Sequence, residues 1–260
     1  VRFMAETAKI LSPDKIVVLP DMDAGCSLED SCPPDRFRAF REAHPDHIAL
    51  TYINSSAEVK ALSDIIVTSS SAEVILSQIP KDQKIIFGPD KNLGGWLNRK
   101  FGRDMLLWPG VCIVHEAFSE TELLKLKARH PGAPVVAHPE CPAHILDHAD
   151  HVGSTSSILQ FAKTFPGDTL IVATEPHIIH QMEKALPGKT LRSKASQAPS
   201  QAEQPRDTSD MPATTSRCSR RRCAPTNDSD NNLRRPDVRV GAAIDLVPKC
   251  GARIRPADHP

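Results

Sequence analysis

The sequence predicts an α/β protein built on small parallel sheets with helices on both faces. Three observations carry that expectation. Up to about residue 190, short β-rich runs alternate with helical patterns. Polar and ionisable residues gather where the apolar runs stop, the place where open α/β sheets bind ligands. Two cysteines, Cys26 and Cys112, stand in similar Gly-containing contexts 86 residues apart, about the length of one small α/β unit.

Taken in order, "KIVVLP", "HIALTYIN", "DIIVTSS", "KIIFGP", "CIVHE", "APVVAHPE", "DHVGSTS" and "TLIVATE" read as strands or strand ends. Between them, "PDRFRAFREAH", "AEVKALS", "SAEVILSQI", "SETELLKLKARH", "STSSILQFAKTF" and "EPHIIHQMEKAL" read as helices. Strands separated by helices favour parallel pairing, because a parallel crossover needs a connection long enough to hold a helix. From residue 191 to 260 the chain turns rich in Ser, Pro, Gln, Asp and Arg and has no aromatic residue. Such a segment buries too little apolar area to offset its ordering entropy, and disorder is expected. Only "VRVGAAIDLV" reads as a short strand there, and "SRCSRRRC" reads as a basic disordered tail rather than a nucleic-acid contact.

The 260 residues are 40% hydrophobic and 25% charged with no net charge, which fits a soluble globular protein without bias toward nucleic acid or membrane. No apolar run approaches the roughly 20 residues that span a bilayer, and "VRFMAETAKIL" is no signal peptide. It opens mid-pattern and reads as a cut edge. Seven cysteines, an odd number without an export signal, suit thiols or metal ligands better than a disulfide framework.

Several residues could do chemistry. Cys26 in "DAGCSL" and Cys112 in "WPGVCIVHE" are either small buried hydrophobes or thiolates presented one per repeat. A third slot, another 86 residues on, holds no cysteine. A zinc site from Cys26, Cys32, Cys112 and Cys141 lacks the close Cys-x2-Cys pair such sites use. In "AHPEC", His138 and Glu140 share one face of a strand end, an arrangement for acid–base work or carboxylate binding; the alternative is a hydrogen-bonded core histidine. Tyr52, the only tyrosine, and Asn54 share a face in "TYIN". Ser69 in "TSSS", and Ser154 with Thr155 in "GSTSS", precede helical patterns, where hydroxyls cap helices or hold anions.

Together the segments "RFMAETAKIL", "PDMDAGCSLEDSC", "TYIN", "SSAEVKA", "TSSSA", "GPDKNLGGWL", "WPGVCIVHE", "AHPEC", "HVGSTSSI" and "IVATEPHIIHQM" resemble quinolinate synthase, in that family's order, over residues 1 to 190. The resemblance implies pseudo-repeated three-layer α/β domains with small parallel sheets around a central site. Residues 1–20 then belong to a remnant of the first unit, 21–105 to the second and 106–190 to the third, with 191–260 a low-complexity tail. It further implies a [4Fe–4S] cluster on three cysteines, Cys26 and Cys112 matching two ligands, with the open iron site a Lewis acid.

The implied reaction joins iminoaspartate to dihydroxyacetone phosphate, giving quinolinate for NAD biosynthesis in the cytoplasm, with a functional link to the enzyme that makes iminoaspartate. By the same resemblance Tyr52, Asn54, Ser69, His138, Glu140 and Thr155 bind substrate. Tyr52, His138 and Glu140 are the catalytic candidates, Glu140 the leading acid–base group, and His115 and Glu116 support them. Two departures are expected to impair this chain: an upstream family segment is absent, and the third cluster cysteine is replaced by a tail of frame-shifted character. Cys218 and Cys223 fall too late to replace it. The alternative reading is an inactive α/β fragment with an anion-binding crevice and no cofactor.

Overall fold

A computed structural model describes residues 1–193. The chain opens with α1 (Arg2–Leu11), which buries Phe3 and Ala5. Next come the four-residue α2 (Ser27–Asp30) and α3 (Pro34–Glu42), the latter with Pro34 in its first turn, where a missing N–H costs nothing. A first run follows: β1 (Ile48–Tyr52), α4 (Ala57–Ala61), β2 (Ile65–Val67), α5 (Ala72–Gln78), β3 (Ile85–Gly88), α6 (Lys91–Phe101) and β4 (Leu106–Leu107). These strands form a wholly parallel sheet in the order β2-β1-β3-β4.

The second run is α7 (Ile113–Glu116), α8 (Glu120–Arg129), β5 (Val135–Ala137), α9 (Ala143–Leu146), β6 (His151–Val152), α10 (Thr155–Thr164), β7 (Thr169–Ala173), α11 (His177–Ala185) and β8 (Thr190–Arg192). Its sheet, again parallel, has the order β6-β5-β7-β8, the same topology as the first. The predicted α/β class with small parallel sheets is therefore what the chain forms. Its central strands are buried on both faces, and so read as unbroken apolar runs rather than alternating ones.

The two sheets repeat each other in detail. Asp64 Oδ2 accepts from the Ala49 N–H at 2.7 Å, and the Asp64 N–H donates to the Ala49 carbonyl at 3.0 Å. Asp150, 86 residues on, does the same to Val135 at 2.8 Å and 2.8 Å. In each unit an aspartate beside the edge strand (β2 or β6) ties its start to the strand that pairs with it. Leu50, Phe87, Leu93 and Leu97 fill the first core, and Leu123, Val135, Ile145 and Ile171 the second. Trp96 on α6 packs against both, joining the two units. Each fully buried side chain of this size contributes about 1.5–3 kcal/mol.

Two sequence expectations change, and several elements went unread. "KIVVLP" is no strand: Ile16 is 92% and Val18 66% exposed, and no strand among the described residues lies beside it. An extended run needs a ladder partner to become a strand, whatever its composition. "CIVHE" is no strand end but the single turn α7, closed by the Glu116 N–H donating to the Cys112 carbonyl at 2.9 Å. A four-residue apolar run does not separate the two by periodicity.

Helix α6, absent from the sequence reading, tolerates Gly94 because a Cβ there would stand 2.6 Å from Leu107 Cδ2 and 2.8 Å from Phe87 Cδ1; the glycine lets the helix lie close on the sheet. Gly102, left-handed at φ 58°, ends it. Strands β4 and β8 were too short to show a period, and β8 takes in Leu191 and Arg192, where the sequence changes character. The remainder of the expected tail, with "VRVGAAIDLV", "SRCSRRRC", Cys218 and Cys223, lies outside the described residues. No helix among the described residues is long and apolar enough to cross a membrane.

Candidate active site

The carboxyl ends of β1 and β5 deliver the central groups. Tyr52 closes β1, and His138 and Glu140 follow β5; all are buried. The Tyr52 hydroxyl donates to Glu140 Oε1 at 2.7 Å, a bond between the two sheets. His138 Nδ1 lies 3.6 Å from the same oxygen, and His115 Nδ1 lies 3.1 Å from Oε2. The two imidazoles stack with ring centres 5.1 Å apart. His115 Nε2 meets Thr174 Oγ1, just past β7, at 3.3 Å. Below them Asn92 Nδ2 donates to the Glu140 carbonyl at 3.1 Å.

This packing sets the ionisation of the group. Burial opposes a charge on Glu140, but the imidazoles of His115 and His138 and the Tyr52 hydroxyl outweigh it, and its pKa falls below the usual carboxylate value. Burial drives His138 down to about 4, with Glu140 opposing and His115 assisting, so its imidazole is neutral near pH 7. Tyr52 is pushed well up by burial and by the charge of Glu140. Asp90, fully buried ahead of α6, is raised by burial and Glu140 despite the Leu93 and Cys112 N–H groups, which donate to it at 2.7 Å and 3.2 Å.

The two matched thiols sit alike. Each cysteine immediately precedes a one-turn helix, Cys26 before α2 and Cys112 before α7. Cys26 receives the Leu28 and Glu29 N–H groups, Cys112 those of Val114 and His115. Burial raises both thiols, Cys26 to about 11, and a charge on Cys26 further disfavours one on Cys112. Soft sulfur donors with backbone N–H groups already aimed at them suit an iron–sulfur group, whose sulfurs are stabilised by such bonds. Cys32 lies among Phe37, Ala49, Val59, Ile86 and Trp108, and Cys141 donates its S–H to the Ala173 carbonyl at 3.4 Å. Neither is placed as a further ligand, and the four-cysteine zinc reading has no geometry behind it.

The remaining expected residues are less buried than the central group. Ser69 is half-buried within reach of Tyr52, Asn54 is half-buried after β1, and Thr155 is exposed at the start of α10. The turn after Ser69 and the first turn of α10 meet where Ser70 Oγ and Ser156 Oγ come within 3.4 Å. Glu116 faces outward and accepts from Asn92 Nδ2 at 3.1 Å. Sequence reasoning passed over Thr174 and Asp90, although both obey its own rule, polar residues just beyond apolar strands, in "IVATE" and "FGPDK".

Fold and site together define a repeated α/β protein whose joined strand ends bury a carboxylate, two imidazoles and a phenol beside two matched thiols. The profile of the family described as "Quinolinate synthetase A protein" matches residues 1–219, and the chain belongs to that family. It is 59% identical over 189 residues to the quinolinate synthases of Prochlorococcus marinus (strain MIT 9303) and Trichormus variabilis (strain ATCC 29413 / PCC 7937). The match covers 73% of this chain and 57% and 58% of those proteins. A quinolinate synthase of Chlorobaculum tepidum is also 59% identical, with 59% of its length covered. The chain thus spans somewhat under three fifths of the curated relatives it matches.

Proposed function

We propose that the chain performs quinolinate synthase chemistry, condensing iminoaspartate with dihydroxyacetone phosphate into quinolinate for NAD biosynthesis in the cytoplasm, supplied by an enzyme that makes iminoaspartate. The observation that carries this reading is the buried Tyr52–Glu140–His138–His115 group set beside the two thiols. Cys26 and Cys112 would hold the [4Fe–4S] cluster, which when bound would supply a Lewis-acidic iron. The third cluster cysteine is the one the sequence reading found missing; Cys218 and Cys223, which fall too late to replace it, lie outside the described residues.

The chain's own residues supply the proton handling. Enolisation and dehydration each need a group that takes a proton at one atom and returns it at another. Glu140 is ionised and shares its two oxygens among a phenol and two imidazoles, so a proton arriving at either oxygen has a neighbour to pass to. Ser69, Thr155 and Asn54, neutral polar groups just beyond the strand ends, are the groups that hold carboxylate or phosphate oxygens. Burial of the central group excludes water from the reacting atoms.

The test is anaerobic reconstitution with iron and sulfide followed by assay of quinolinate. The expected result is a broad thiolate-to-iron absorbance that falls in Cys26→Ser and in Cys112→Ser, together with product formation lost in Glu140→Gln. A chain that retains no iron under those conditions is instead an α/β fragment with an anion-binding crevice.

A further inference from the structure

The tightest set of metal donors among the described residues is not the pair of matched thiols. Cys112 Sγ, one nitrogen of His115 and one oxygen of Glu140 all lie within 4.8 Å of one another, and all three residues are buried. Cys112 and His115 form a Cys-x2-His pair on the single turn α7, which puts both side chains on one side of the helix. Glu140 arrives from the end of β5 in the other half of the same unit.

Two further features aim this set inward. His115 Nδ1 is buried 3.1 Å from Glu140 Oε2, so in the empty site a proton lies between them. Its other nitrogen, Nε2, meets Thr174 Oγ1 at 3.3 Å, so the imidazole proton can shift to Nε2 and leave the Nδ1 lone pair to a cation that takes its place. Glu140 Oε1 is held by the Tyr52 hydroxyl, which leaves Oε2 for another partner. Metal-binding imidazoles and carboxylates are oriented in this way, by a hydrogen bond to the atom that does not ligate.

We propose that Cys112, His115 and Glu140 form a binding site for one divalent cation of borderline softness, zinc being the best match, with Thr174 and Tyr52 orienting the ligands and a fourth position open. The mixed S, N, O donor set is of the kind zinc takes in sites with three protein ligands. Ligands about 2.0–2.3 Å from one tetrahedral ion lie roughly 3.3–3.6 Å apart, so small side-chain rotations close the set. Binding expels the Cys112 thiol proton to solvent and changes no oxidation state. Cys112 is common to this site and to the proposed cluster, so the two occupants exclude each other. The cation site therefore competes with cluster assembly for one sulfur.

The site belongs to the unit of β5–β8 alone. Shifted back by 86 residues, Cys112, His115, Glu140 and Thr174 become Cys26, Glu29, Asn54 and Gly88. Only the cysteine persists, and Glu29 is turned instead to Arg2, whose Nη2 lies 3.2 Å from its Oε1.

The test is titration of the full chain, free of iron and sulfide, with Co2+ in a background where Cys218, Cys223 and Cys250 are replaced by Ser. The expected result is one cobalt per chain with a thiolate-to-cobalt charge-transfer band that zinc abolishes. That band should vanish in Cys112→Ser, weaken at least about 10-fold in His115→Ala and Glu140→Gln, and survive in Cys26→Ser. Thr174→Val, which removes no ligand, should weaken binding by about 10–100-fold, and it decides the matter if His115→Ala fails to fold by circular dichroism. Absence of the band, its persistence in His115→Ala and Glu140→Gln, or its loss in Cys26→Ser overturns the proposal. Because no sulfide is used, a chain that binds cobalt but never assembles a cluster defeats the synthase reading and leaves this one standing, and the reverse outcome does the opposite.

Discussion

The unit holding β1–β4 and the unit holding β5–β8 share strand order and the aspartate that ties the edge strand, yet they present different chemistry at equivalent places. Where the first offers Tyr52 and Asn54, the second, 86 residues later, offers His138 and Glu140; Ser69 is matched by Thr155 and Cys26 by Cys112. The first unit supplies neutral hydrogen-bonding groups and the second supplies ionisable ones. Below the site the asymmetry reverses: Lys60 of the first unit, buried with its amine on the Ser55 carbonyl, is matched by Leu146. Equivalent backbone thus leaves side chains free to diverge, and on the function proposed above the second half carries the acid–base carboxylate where the first carries an amide.

The largest test of that division compares matched positions in the reconstituted chain. Glu140→Gln should cut quinolinate formation by about 10²–10⁴, whereas Asn54→Ala, the loss of one neutral hydrogen bond, should cost about 10-fold. Equal losses would erase the functional difference between the halves.

The buried amine gives the next effect. Burial lowers the Lys60 pKa from 10.5 to about 8. The unfolded amine therefore keeps its proton between pH 8 and about 10 while the folded one sheds it. The Lys60 contribution to stability therefore rises with pH across that window, and its penalty is fully present below it. The buried thiols, raised by burial, act in the opposite direction over the same range, so the lysine is read from the difference between the wild-type and Lys60→Leu chains. That difference in urea-derived stability should shrink by on the order of 2–3 kcal/mol between pH 7.5 and 10; a difference independent of pH would remove Lys60 as its source.

Smaller effects probe the shared frame. Asp64→Ala and Asp150→Ala should each cost about 1–2 kcal/mol, since each strands a strand N–H. The Asp64 change should cost slightly more, because that carboxylate also pairs with Arg41 at 2.9 Å. Costs that differ severalfold would show the two ties are not equivalent. Smallest of all, Gly95→Ala on α6 should raise stability by about 0.5–1 kcal/mol, because no atom lies within 4 Å of the added Cβ. A loss on thermal melting would mean the helix needs that glycine.

The strand–helix alternation, the clustering of Tyr52, His138 and Glu140 at strand ends, and the 86-residue spacing were all legible because side-chain period and turn chemistry are local. Helix α6 was hidden by Gly94, whose purpose is contact with Phe87 and Leu107, residues distant or unrecognised as a strand. His115 was read in a strand and given only a supporting part. Its place against Glu140 and Thr174 appears once "CIVH" is seen to be a helical turn.

By itself the sequence determined which segments alternate, where the polar groups fall along them, and that two thiols recur at a fixed interval. Only the tertiary structure decided that "KIVVL" finds no sheet partner among the described residues, and that Tyr52 of one sheet bonds Glu140 of the other. It alone aimed a buried imidazole nitrogen at the donors beside it. Periodicity is written in neighbouring residues, whereas strand pairing and side-chain convergence depend on contacts between residues far apart in the chain.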